Sequence, residues 1–209
     1  FDLGKLTAYA YLLGFDDTTA GAIGPGAATK TIGVSFSGGT ALSDTLKLLY
    51  AFEYADQSDY DDGASTNDAD YNHLELGLKF PAVTVKVGRE VLEGDGTYGF
   101  STQLATLHKF NGWADKFLGT PAAGIEDTYV LATGKVGGVK LLAKYHWFES
   151  DAGSFDYGEE LNLLAVKKFG KNYTVGLKYA DYDADSNAAN VGGTAADIEK
   201  LWFWGELKF

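Results

Sequence analysis

The sequence predicts an all-β fold, an antiparallel transmembrane β-barrel built as a meander of about ten strands in one domain over residues 1–209. Three observations point there. Apolar and polar residues alternate with a period of two along stretches mostly longer than the roughly five or six residues of soluble strands. Their lengths approach the roughly nine to eleven residues that a tilted strand needs to cross a bilayer. The connections alternate between short turns and long polar loops, and aromatic residues gather at both strand ends. Phe36, Phe80, Phe169 and Phe209 lie toward the short turns, and Tyr54, Trp147 and Tyr179 toward the long loops, as two interfacial girdles require.

The strands are expected at 1–14, 30–38, 45–56, 70–80, 83–93, 126–135, 139–150, 157–169, 172–183 and 198–209. The first is mixed, because Lys5 and Thr7 share a face with Phe1, Leu3, Tyr9 and Tyr11. The third sets Leu46, Leu48, Tyr50, Phe52 and Tyr54 against Lys47, Leu49, Ala51 and Glu53. The fourth sets Leu74, Leu76, Leu78 and Phe80 against His73, Glu75, Gly77 and Lys79, and the fifth sets Val83, Val85 and Val87 against Thr84, Lys86, Gly88 and Glu90. The seventh sets Val139, Leu141, Ala143, Tyr145 and Trp147 against Lys140, Leu142, Lys144 and His146. In the ninth Tyr173, Val175, Leu177 and Tyr179 oppose Thr174, Gly176, Lys178 and Ala180. The tenth sets Leu201, Phe203, Leu207 and Phe209 against Trp202, Trp204, Glu206 and Lys208. Short turns fall at 39–44, 81–82, 136–138 and 170–172, and long loops at 15–29, 57–69, 94–125, 151–156 and 184–197. This order puts the C-terminus on the short-turn side, which in an outer-membrane barrel is periplasmic.

Composition narrows the function. The chain has no Cys, which excludes disulfides, zinc–thiolate sites and thiolate catalysis. Among 17 basic residues only Arg89 is arginine and the net charge is −12, so no basic stripe exists for nucleic acid. No apolar run reaches the roughly 18 residues of a membrane-spanning helix. No Met and no charged leader opens the chain, so any signal peptide is expected to have been removed or to lie outside it. Mean hydropathy of −0.12 suits a barrel, where every second strand residue faces lipid, and also suits a soluble β-sandwich. Strand length and the two aromatic bands favour the barrel.

Motifs for chemistry mostly fail on context. Gly94-Asp95-Gly96-Thr97-Tyr98-Gly99 matches G-x-G-x-x-G, but a dinucleotide site needs a parallel βαβ unit. Asp181, Asp183 and Asp185 resemble the start of a calcium loop, which then breaks at Ser186 and Gly192. A second acidic cluster, Asp56 to Asp70, reads as solvated loop or weak divalent-ion binding. His146 with Glu149 and Asp151 supplies part of a surface-hydrolase set, and Asn172-Tyr173-Thr174 is a glycosylation acceptor placed in a short turn. No cofactor, metal centre or catalytic residue is expected.

The inner face carries the remaining signal. Its expected lining is Lys47, Glu53, Glu75, Lys79, Lys86, Glu90, Lys140, Lys144, His146, Lys178, Glu206 and Lys208. These charges read either as ion pairs filling a narrow barrel or as a hydrated wall that biases solute passage. The loop 94–125 is unusually long, and loops of that length are usually functional. Its apolar residues favour folding inward to form a constriction at Trp113, Asp115 and Lys116, part of it helical over 102–118, against the alternative of an outer cap.

Glu90 to Gly96, Leu104 to His108, Asn111 to Phe117, Lys178 to Tyr182 and Lys200 to Phe209 together resemble the C-terminal half of alginate-export-family outer-membrane porins. That resemblance implies a larger barrel of about eighteen strands, of which this chain is the later part. Ten strands could also close alone. With Arg89 as the single arginine, the expected solutes are small and hydrophilic rather than polyanionic. The expected partners are outer-membrane lipid, lipopolysaccharide and, through Phe209, the barrel-assembly machinery. A narrow barrel serving as surface enzyme or anchor is the alternative.

Overall fold

A computed structural model of the chain describes residues 3–16, 24–186 and 195–209. Phe1 of the first expected strand and Gly192 of the acidic loop lie outside the described residues. The strands are β1 (Lys5–Leu13), β2 (Thr29–Ser43), β3 (Leu46–Asp59), β4 (Ala69–Lys79) and β5 (Val83–Leu92), then β6 (Ile125–Val136), β7 (Val139–Glu149), β8 (Asp156–Phe169), β9 (Tyr173–Ala184) and β10 (Ile198–Leu207). All ten form one antiparallel sheet in sequence order. Among the described residues β1 pairs only with β2 and β10 only with β9.

Two expectations change. β2 continues through residues 39–43 past a register shift near Ala41, so the turn shrinks to Asp44 and Thr45. The helix expected over 102–118 is a single 3-10 turn, Leu107–Lys109. Asn111, Gly112 and Asp115 all have positive φ, which no helix tolerates. The C-terminus does lie at the short-turn end: the Lys208 N–H donates to the Asn172 carbonyl, and the Asn172 amide donates back to Lys208 O.

The sheet is curled. Laid flat, ten strands would span about 43 Å from nine spacings of about 4.8 Å. Yet one turn-rich loop touches both sides of it: Gln103 donates to the Ala27 carbonyl beside β2, and Asp115 pairs with Lys200 of β10. The concave face holds that loop. The convex face exposes a continuous apolar surface, including Leu6 (69%), Phe52 (46%), Leu74 (55%), Leu201 (67%) and Phe203 (75%). Leaving each such side chain in water rather than in hydrocarbon costs about 1.5–3 kcal/mol. Lipid is the medium that removes this cost. The mixed first strand is resolved: Tyr9 and Tyr11 face inward, and Leu6 and Leu12 take the outer face.

Leu76 sits midway along β4 on the convex face, opposite Tyr50 and Val87. Leu76→Arg is expected to lower stability by about 2–4 kcal/mol, as for an arginine at a bilayer midplane, measured by urea titration of the protein refolded into vesicles.

Candidate functional site: the lumen and its inward loop

Alternation delivers every second side chain to the concave face, and the cross-strand register decides which ones meet. Tyr9 lies opposite Gly33, Tyr129 opposite Gly88 and Trp204 opposite Gly176. Each ring lies flat where a Cβ would collide with it, at 2.3 Å for Tyr9 over Gly33. The glycines therefore let large rings lie along the wall instead of filling the lumen. The phenols then reach across strands: Tyr9 donates to Glu53 at 2.7 Å, Tyr71 to Glu90 at 2.6 Å and Tyr129 to Glu75 at 2.9 Å.

The loop between β5 and β6 closes the long-loop half of this face. Its entry is a tight turn in which Gly94 and Gly99 bridge, and Asp95 accepts from the Thr97 and Tyr98 N–H groups. The G-x-G-x-x-G match is thus a hairpin-like turn. Further on, Phe100, Ala114 and Phe117 join Leu92, Ile125, Phe148, Tyr157 and Tyr182 in one apolar cluster. The Phe117 ring packs at a tilt against Phe148 and Tyr157, with centroids 4.7 and 5.7 Å away.

Beneath that cluster a carboxylate holds the loop. Glu160, fully buried on β8, accepts from the backbone N–H groups of Trp113 at 2.5 Å and Ala114 at 2.8 Å, and from the Asn162 amide at 2.8 Å. Positive φ at Asn111 and Gly112 aims those N–H groups at it. A Cβ on Gly112 would stand 2.2 Å from Glu160 Oε2. The Asn111–Phe117 motif is therefore a backbone turn shaped to one buried carboxylate. Alternation along β8 puts Glu160 on the inner face, but no side-chain pattern reveals this role, because two of its three donors are main-chain groups.

A second clamp joins the loop to the last strands. His108 Nδ1 meets Asp115 at 2.5 Å, the Lys178 ammonium meets His108 Nε2 at 2.6 Å, and Lys200 donates to Asp115 at 2.7 Å. Lys178 also lies over the rings of Trp202 and Trp113, at 4.5 and 5.1 Å from their centroids. Burial pushes the Asp115 carboxyl up, but the hydrogen bonds and charges of Lys200 and His108 outweigh it and hold it below the ordinary carboxylate value.

The other sequence-predicted residues fall in three places. In the middle, Lys86 pairs with Glu75 at 2.7 Å, and Lys144 sits over the Tyr129 ring. His146 faces inward but is buried beneath the loop, bonded to Asp127 and stacked on Phe148. Its bonded carboxylate is Asp127, while Asp151 accepts from the Gly94 N–H and Glu149 is exposed. Toward the short turns Lys47, Lys79 and Lys140 are exposed, and Glu206 pairs with Lys208 at 3.1 Å. Of the loop residues, Trp113 and Asp115 are built into the two clamps, and Lys116 lies beside them, half-buried. Arg89 points to the convex side and pairs with Glu126 at 2.6 Å, so the one arginine is not part of the inner face. Among the described residues no group of His and carboxylates is placed to hold a metal.

No protein-family model and no curated protein matches the chain. Among solved structures it is similar to Acinetobacter baumannii OccAB3, with TM-score 0.59 and 14% identity over 85% of this chain. It is also similar to Salmonella typhi OmpF, solved in complex with daunomycin, with TM-score 0.56 and 13% identity over 97% of this chain. It spans 49% and 57% of those two chains, about half their length. The chain therefore has the fold of outer-membrane β-barrel porins.

Gly112→Ala is expected to release the loop from Glu160 and speed proteolytic cleavage within 101–120, while the strands stay resistant. For Asp115 the lowered value means that its contribution is complete above the ordinary carboxylate pKa of about 3.9 and is lost as pH falls through the lower, folded value. The same cleavage should accelerate in acid below that range, and Asp115→Asn should show the acid-type rate already at neutral pH.

Proposed function

We propose that the chain forms the channel wall of an outer-membrane porin through which small hydrophilic solutes diffuse past the inward loop, with no reaction catalysed. One observation carries this reading: the loop folds onto a concave face whose uncovered part is charged and exposed. Lys47 stands directly opposite Lys79, and Lys135 opposite Lys140, all exposed at the short-turn end. Among the described residues none of the four forms an ion pair. Like charges facing each other destabilise a sheet unless water screens them. Water therefore reaches this end of the concave face.

Within this reading Trp113, Asp115 and Lys116 form the constriction, and Lys47, Glu53, Glu75, Lys79, Lys86, Glu90, Lys140, Lys144, Lys178, Glu206 and Lys208 line the path around it. The resemblance to alginate-export porins supports a barrel to which this chain contributes the later strands. Lipid and lipopolysaccharide meet the convex face, and exposed Phe209 is offered to the assembly machinery.

Planar-bilayer recording tests the proposal. The protein should give discrete single-channel steps, and Trp113→Ala with Lys116→Ala should enlarge them. Absence of any step would overturn the channel reading, and an unchanged step size would remove the loop from the constriction.

A further inference from the structure

The loop does not fill the concave face. Between it and the wall of β1 to β5 lies a cavity of about 440 Å³, within the range of small-molecule sites. Its walls are aromatic, with Tyr9, Tyr11, Tyr71, Phe100 and Phe110 all contributing. Two carboxylates, Glu53 and Glu90, share the lining, and no lysine, arginine or histidine does.

Both carboxylates are half-buried and satisfied by neutral donors. Glu53 accepts from Tyr9, and Glu90 accepts from Tyr71 and from the Asn111 amide at 3.2 Å. Among the described residues neither belongs to an ion pair. The surrounding basic groups lie outside the lining. His73, between the two in register, meets Tyr129. Lys86 is held by Glu75, and Lys144 lies among four carboxylates, Asp127, Glu90, Glu75 and Glu160. The cavity is thus an apolar, ring-lined space with two carboxylates and no basic side chain in its lining.

We propose that this cavity binds an organic monocation with an apolar body, an aryl- or alkylammonium compound. Partly dehydrated carboxylates favour a cation beside them. Aromatic faces attract the same cation, and the apolar lining accepts its body. A bare metal ion would leave the rings unused, and an anion would meet Glu53 and Glu90. The site needs the loop in its inward position but does not depend on an open channel.

The test is a titration of the detergent-solubilised chain by saturation-transfer NMR, with benzyltrimethylammonium and phenylacetate as probes of similar ring and opposite charge. Saturable binding of the ammonium is expected, with no saturable binding of phenylacetate. The Glu53→Gln, Glu90→Gln double variant, its fold checked by circular dichroism, should weaken the ammonium by about tenfold or more. Equal binding of both probes, no saturable ammonium binding, or undiminished binding by the folded double variant would each overturn the site. Should that variant not fold, the two-probe comparison on the unaltered chain decides alone. Channel steps in bilayers are read separately, so loss of one reading does not remove the other.

Discussion

The grip of Glu160 on the backbone of the Asn111-Gly112-Trp113-Ala114 turn is the contact on which the interior depends. Removing a carboxylate from water costs several kcal/mol, and only good geometry with several donors offsets it. Here two main-chain N–H groups and the Asn162 amide all donate to one oxygen, Oε1, while Oε2 is buried against Gly112 with no hydrogen-bond partner among the described residues. The arrangement is specific because the donors exist only when residues 111 and 112 take positive φ. With the turn seated, Phe117 reaches Phe148 and Tyr182, Asp115 reaches Lys200, and the space beside Glu53 and Glu90 becomes a bounded cavity. Without it those groups have no reason to be near one another.

The interior is layered along the strand axis as a result. Rings and aliphatic side chains from loop and wall pack together at the long-loop end. Hydrogen-bonded acids, tyrosines and histidines occupy the middle, where each charge has a named partner or a cluster of them. Exposed lysines occupy the short-turn end. The order follows from access to water: the loop shields the first layer, the second must satisfy itself, and the third is left to solvent. Glycines opposite Tyr9, Tyr129 and Trp204 keep the middle from closing by letting rings lie along the wall.

The outer half of this design was legible because lipid and water impose different residues on alternate positions. Strands 3, 4, 5, 7, 9 and 10 could be phased from that alone, and the structure agrees within a residue or two at most ends. The first strand could not. Tyrosine serves a membrane interface and a hydrogen-bonded interior equally well, so Tyr9 and Tyr11 carried no sign of direction until Gly33 and Glu53 were seen beside Tyr9. The loop failed for another reason. Its spaced apolar residues suggested a helix, but their partners are on the wall, and positive-φ residues interrupt any helical run. His146 looked like a wall residue by alternation, and only the loop's position shows that it is covered.

The sequence by itself determined the membrane-facing surface, the strand count, the alternation of turn lengths and the presence of an exceptional loop. Each of these follows from local chemistry repeated at a fixed period. Only the tertiary structure decided what the inner charges do. Whether a lysine or glutamate is paired, hydrated or held against a backbone turn depends on groups tens of residues away, brought together by cross-strand register and by the curl of the sheet. Glu160, Asp115 and the pair Glu53 and Glu90 show three outcomes for the same kind of side chain, and no pattern in the chain distinguishes them before the loop is in place.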